Sequence, residues 1–454
     1  MGMAALLIIV INVVAWLAFF IGVGIVIFRH VRRRGRLIIL SGAGVTLLLI
    51  VSLVALNLSF RPAAPPQRPS PSGAILLARM FDSHGVASLA GVSARDGSVR
   101  WRSSLAVSYR SQAPIAAGVA YVTSDPDATT GATGAAITAV RLDDGERLWQ
   151  RALPGEGIIS PLALRGGALA FVSYSQPDGY RANALDLASH ALRWSSPLSH
   201  FALDNQYPVF AASASLLYVG SDDGEVSALR LRDGSLAWSR APLTTPDAAL
   251  QTLWVALGAS QLYAYTSGGQ IIALRSADGA LLWRGPAGLR PFEQTYLTAT
   301  STSVYACVSL TTSKGDITSG LAALDPATGA IRWERAGACG VDGIGGLVES
   351  AGAIYQLGPT LNAMRVSDGA PLWSASTQTT DLGFTSAQVD SGVIFVAATV
   401  IFPHDYTLCG DWWTGGPLFC HSQPFIAAYD AATGVRYWRA DVGDAPLFIS
   451  EAAP

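Results

Sequence analysis

Cysteine is scarce in this chain of 454 residues, with four in all, at positions 307, 339, 409 and 420. No Cys-x-x-Cys frame occurs and no Cys-x-x-Cys-His, which excludes the usual zinc ribbons and covalent haem attachment. The six histidines, at 30, 84, 190, 200, 404 and 421, lack the spacing of a metal-ligand set. No Gly-x-Ser-x-Gly elbow picks out a nucleophile, so no catalytic triad is legible. Charged residues make up only 14% of the chain, with a net charge of −2. Setting aside five arginines between residues 29 and 36 leaves about −7, which disfavours nucleic acid as a partner. Asp125-Pro126-Asp127 and Asp222-Asp223 lack the alternating ligands of a calcium loop and read as turn acids.

What the chain has in excess is apolar length at its start. Residues 4–28 and 37–58 are uncharged runs, and each exceeds the roughly 30 Å hydrocarbon core when helical. The first is too long for a signal peptide and has no basic segment before it. Both therefore read as transmembrane helices, forming a hairpin over residues 1–60. The loop 29–36 between them carries the five arginines, which places it in the cytoplasm, the amino terminus outside and the bulk of the chain outside. Neither span holds Asp, Glu or Lys, so an ion pathway is not expected. Residues 61–73 are proline-rich and read as an extended, semi-rigid linker.

Beyond the linker, one pattern recurs eight times: an alternating apolar run, a Gly, three residues and a Trp. The copies end at Trp101, Trp149, Trp194, Trp238, Trp283, Trp333, Trp373 and Trp438. Four residues before each stand Gly97, Gly145, His190, Gly234, Gly279, Gly329, Gly369 and Gly434. Successive Trp residues are 40 to 50 apart until the last interval, which is 65. Such periods mean propeller blades or helical arrays. Short runs rich in β-branched and aromatic residues, with Asp-Gly hairpin signals between them, decide for four-stranded blades. The expected fold is all-β, an eight-bladed propeller over residues 74–454. The first blade is one strand short, and residues 446–450 are expected to complete it. Seven blades plus an irregular unit is the alternative.

The copies at Ala323-Leu324-Asp325-Pro326-Ala327-Thr328-Gly329 with Trp333, and Ala428-Tyr429-Asp430-Ala431-Ala432-Thr433-Gly434 with Trp438, resemble the repeat of PQQ-type, quinoprotein-like β-propellers. The resemblance implies that each Trp packs between neighbouring blades and each Gly sits in a turn. Ser93, Arg141, Arg230, Arg275 and Arg365 stand where that repeat has Asp, and are expected to be solvated. Many alcohol dehydrogenases of the family carry a Cys-Cys pair under their quinone, and this chain has none.

An even number of cysteines in an exported domain favours disulfides, Cys409 with Cys420 and Cys307 with Cys339, over four buried thiols. Cys409 and Cys420 bracket part of the loop 403–424, where Trp412, Trp413 and Phe419 offer an aromatic binding surface or cover their own blade. No catalytic residue, metal ligand or cofactor is assigned. The reading that follows is a bacterial, membrane-anchored, extracytoplasmic scaffold that binds a protein or small ligand without catalysis. A PQQ- and calcium-dependent dehydrogenase of alcohols or sugars is the first alternative, and a sensor of an extracellular ligand the second.

Overall fold

In the computed structural model the chain divides into two units, Met1–Pro66 and Gln67–Pro454. The residues described are 68–81, 87–105, 107, 113–124, 134–176, 178–198, 203–204, 207–208, 210–221, 224–241, 252–266, 271–285, 290–291, 297–311, 317–337, 346–377, 382–400 and 425–441. The expected membrane hairpin and its arginine loop lie outside them, as do residues 401–424 and 446–450. Among the described residues no helix is long and apolar enough to cross a membrane.

The second unit is a ring of eight antiparallel sheets, so the seven-bladed alternative falls. Blade 7 shows the plan: Leu347–Ser350, Ala353–Gln356, Thr360–Arg365 and Pro371–Ser376 pair in sequence order. The middle strands are buried on both faces, and the fourth, which carries the Trp, is mostly exposed. First strands of adjacent blades approach one another, as in Phe210–Ala212 with Thr252–Leu257, which puts them at the hub. Blade 1 shows three strands among the described residues, Ile75–Phe81, Ala87–Ser93 and Val99–Ser103.

Every third-to-fourth strand pair carries a β-bulge at the Trp. The residue opposite the Trp is Gly91 in blade 1 and Ala139, Ala184, Ala228, Ala273, Ala323, Ala363 or Ala428 in the others. A bulge adds local twist, and a small partner leaves room for the indole. At Gly91 the space is already taken: a Cβ would lie 2.3 Å from Trp101 Nε1.

Each indole then reaches the next blade. Seven Trp Nε1–H groups donate to a backbone carbonyl there at 2.7–3.1 Å, from Trp101 to Leu142 through Trp373 to Ala431. Trp438 donates to Ala94 of blade 1, so the ring is closed. In three blades a second-strand tyrosine adds its hydroxyl to the same carbonyl: Tyr218 with Trp238 on Ser276, Tyr263 with Trp283 on Pro326, and Tyr355 with Trp373 on Ala431. The turn glycine of that next blade has φ between +65° and +75° and lies under the indole. A Cβ on Gly279 would sit 2.5 Å from Trp238.

One junction differs. His190, at φ +56°, occupies the glycine position of blade 3 and stacks on Trp149 with ring centroids 4.4 Å apart. Among the described residues Trp149 makes no bond to the next blade's carbonyl, and the stack stands in its place.

The turns before the Trp strands are capped by carboxylates in two interchangeable ways. Asp186, Asp325 and Asp430 open their turns and accept from the amides two and three residues on, at 2.8–3.1 Å. Where Ser or Arg stands at that position, the acid is placed just before the Gly instead. Asp96, Asp144, Asp233, Asp278 and Asp368 accept from the amide two residues on, at 2.9–3.0 Å. Three of the replacing arginines, Arg141, Arg275 and Arg365, then pair with the displaced acid at 2.8–2.9 Å. These arginines are exposed, as expected. Ser93 is not: it is buried, because the segment before blade 1 covers its turn.

That segment corrects the linker boundary. Residues 68–73 are docked across the junction of blades 8 and 1. Arg68 N–H donates to Tyr437 O at 2.8 Å and Ser70 N–H to Arg95 O at 2.7 Å. Ser70 Oγ donates to Ala94 O and Ser72 Oγ to Asp390 Oδ2. Ser70 and Ser72 are buried. Serines that looked like linker composition are hydrogen-bond donors to both ends of the ring.

Three outcomes are expected. Gly279→Ala lowers stability in equilibrium denaturation by about 1–3 kcal/mol more than Gly167→Ala, because both have positive φ but only Gly279 faces an indole. His190→Ala loses the stack and keeps the strained φ, costing about 1 kcal/mol, whereas His190→Gly exchanges one for the other and is near neutral. The Ser98 hydroxyl holds Asp96 down to about 2 and the Ser235 hydroxyl does the same for Asp233. A carboxylate depressed in the folded state gives stability above its unfolded value that is lost as pH falls through the folded one. The melting temperature should therefore drop between about pH 4 and pH 2, and less steeply in the Asp96→Asn variant.

Candidate functional site

Antiparallel alternation sorts the connections onto two faces. First-to-second and third-to-fourth turns share one face, and none exceeds six residues. Two-residue hairpins such as Ala117-Gly118 and Ala351-Gly352 have positive φ at both positions and so need no length. The other face receives the second-to-third loops and the links between blades. There the connections vary more in length, with three residues between Ser175 and Gly179 and the stretch 401–424 between Val400 and Phe425. Long loops on a rigid ring are where binding residues concentrate, so this loop face is the candidate site.

Beneath it the strands change character. Towards the turn face the blades meet through the repeat indoles and their bonds to backbone carbonyls, while the loop-face ends carry side-chain networks of hydroxyls, carboxamides and charged groups. In blade 3 Asn183 Nδ2 donates to Ser173 Oγ at 2.8 Å, and Arg181 Nε to Ser195 Oγ at 2.8 Å. In blade 4 Glu225 receives the hydroxyls of Ser227 and Ser239. In blade 7 Asn362 Nδ2 bridges Gln356 Oε1 and Thr360 Oγ1 at 2.8 and 3.0 Å. These networks fix the loop anchors by directional bonds rather than by packing alone.

The described part of the face also presents an aromatic pair. Tyr174 and Tyr180 flank the hairpin loop of blade 3, half exposed, with ring centroids 4.9 Å apart. Gln176 is exposed beside them and bonds the Tyr174 hydroxyl at 3.4 Å. Rigid, amphipathic tyrosines at a loop tip suit a protein interface. Sequence reasoning passed over them, although Tyr174-Ser175-Gln176-Pro177-Asp178-Gly179-Tyr180 carries its signal, two aromatics around a turn. Among the described residues no group of three or more His, Cys, Asp or Glu side chains is placed to hold a metal ion.

The eight repeat tryptophans and seven glycines all lie at blade junctions on the turn side, serving architecture. Cys307 lies in the strand Val304–Thr311 of blade 6 and is disulfide-bonded, with its partner outside the described residues. Cys339, Cys409, Cys420, Trp412, Trp413 and Phe419 also lie outside them.

Comparison with known proteins agrees with this geometry. The family model described as "Outer membrane protein assembly factor BamB" matches residues 83–248, 133–317 and 318–453. No curated protein matches the chain in sequence. Among solved structures, BamB from Moraxella catarrhalis is similar at 16% identity and a TM-score of 0.50, over 73% of this chain and 92% of that one. A computationally designed protein, Ika8, is similar at 13% identity and a TM-score of 0.50, over 73% and 96%. A quinohemoprotein alcohol dehydrogenase from Pseudomonas putida aligns at 12% identity and a TM-score of 0.49, over 75% and 71%. The two likenesses at a TM-score of 0.50 show the propeller fold, and the repeat matches across most of the ring show the family: this chain belongs to the PQQ-like repeat propellers whose model is described as outer membrane protein assembly factor BamB.

Proposed function

We propose that this chain is a membrane-anchored, extracytoplasmic scaffold that binds a protein partner on the loop face of its ring. The separation of the two faces carries the reading. On one face the repeat residues are used up in holding blade to blade. On the other the chain places its long loops, hydroxyl networks and the Tyr174–Tyr180 pair, as a rigid platform for recognition requires. The family's description as an assembly factor supports a protein partner. The two long apolar runs at 4–28 and 37–58 support the anchor, and the arginines of 29–36 support its orientation. The competing reading, a quinone-dependent dehydrogenase, needs a cofactor held at the hub.

Two measurements on the full chain test this, the first in detergent or vesicles and the second in its native membrane. Calorimetric titration with pyrroloquinoline quinone and calcium is expected to give no saturable heat. Tight, calcium-dependent binding would replace the scaffold reading with the dehydrogenase. A photo-crosslinking phenylalanine analogue placed at Tyr174 is expected to capture a discrete protein in the native membrane, and the same analogue at Ser367 on the turn face to capture none. Equal capture from both faces removes the loop face as the binding surface.

A further inference from the structure

The rim of the ring is formed by the eight outer strands, and its charge is uneven. Outer strands of blades 8, 1 and 2 carry Arg436, Arg439, Arg100, Arg102, Arg147 and Arg151 against one acid, Asp441. The five remaining outer strands share five arginines and Glu334. Two of those arginines, Arg193 and Arg332, are tied to turn acids, and in the first sector Arg439 is tied to Asp441. By contrast Arg100, Arg102, Arg147 and Arg151 are exposed and enter no ion pair among the described residues. Exposed aliphatic side chains line outer strands round the ring, Leu236, Leu281 and Leu372 among them, but of the described residues only those in this sector, Val99, Leu148 and Val435, lie among a cluster of arginines free of ion pairs. The basic side chains of the whole sequence are arginine except Lys314.

Guanidinium groups bind phosphate oxygens two at a time, which an ammonium does not. A soluble polyanion would be served by arginine alone. Exposed aliphatics interleaved with arginine match a surface that is anionic outside and apolar just beneath. The polypeptide joins the ring at Arg68, beside this same sector, where it hydrogen-bonds the outer strand of blade 8.

We propose that the rim sector of blades 8, 1 and 2 is a docking surface for the anionic phosphate headgroups of a lipid bilayer. The proposal rests on the membrane-anchored reading. It adds that the ring is held against the bilayer by its rim, as well as tethered to it. Four exposed arginines acting together give firm, salt-sensitive docking.

The test is arginine footprinting of the full chain reconstituted in vesicles of neutral phosphatidylcholine, or of the same lipid with about 30% phosphatidylglycerol. Phenylglyoxal adducts are read by mass spectrometry. Arg100, Arg102, Arg147 and Arg151 are expected to react about threefold more slowly in the anionic vesicles, with protection lost in about 0.5 M salt. Arg240 and Arg335, exposed on other blades, should be unchanged. Equal rates in both vesicles overturn the rim proposal, while flotation of the chain with both leaves the anchor standing. Flotation with anionic vesicles alone supports the rim and overturns the spans. Protection by soluble polyphosphate in neutral vesicles reassigns the sector to a polyanion and also overturns the lipid proposal.

Discussion

A single indole N–H reaching a carbonyl on the neighbouring sheet is what this ring depends on. Each blade ends in an edge strand that could pair with anything. The Trp turns that strand's buried face into a specific contact with the next blade. Several other features exist to let it do so. The bulge aims the side chain, the alanine opposite makes room, and the glycine on the neighbour lets the indole lie against bare backbone. In three blades a second-strand tyrosine packs beside the indole and shares its acceptor. Adding a side chain at the glycine makes a clash, and misaiming the indole leaves a buried donor unpaired, which costs more than the modest net gain of the bond itself.

Because that contact repeats with so little variation, architecture is concentrated on one face and freedom on the other. The turn face tolerates exchange of Asp for Arg only because the acid reappears three residues later and caps the same turn. The repeat residues that close the ring all lie away from the loop face, so changes there meet no such constraint. A fold so arranged can acquire new partners without touching the contacts that close it, which is why family membership alone does not name an activity.

Much of this was legible in the residues. Eight tryptophans in register with seven glycines and one histidine gave the blade count, and the Asp-Gly pairs gave the hairpins. The His190 substitution was visible, but its stacking on Trp149 was not, because the partner is 41 positions away. The paired exchange of Asp and Arg was read one position at a time, so the compensation escaped notice. Residues 68–73 misled for a compositional reason. Proline and serine suit a solvated linker, and they suit equally a segment whose hydroxyls bond backbone carbonyls. The Tyr174–Tyr180 pair was overshadowed by the richer aromatic cluster of 403–424.

The docked segment at 68–73 has a mechanical meaning. It touches Tyr437 and Asp390 on the last blade and Ala94 and Arg95 on the first. A pull on the polypeptide at Gln67 is therefore shared between both sides of the seam, across several hydrogen bonds loaded together. It does not peel one strand from one sheet. The seam where a closed ring would first be torn open is the place where this chain has put its cleat.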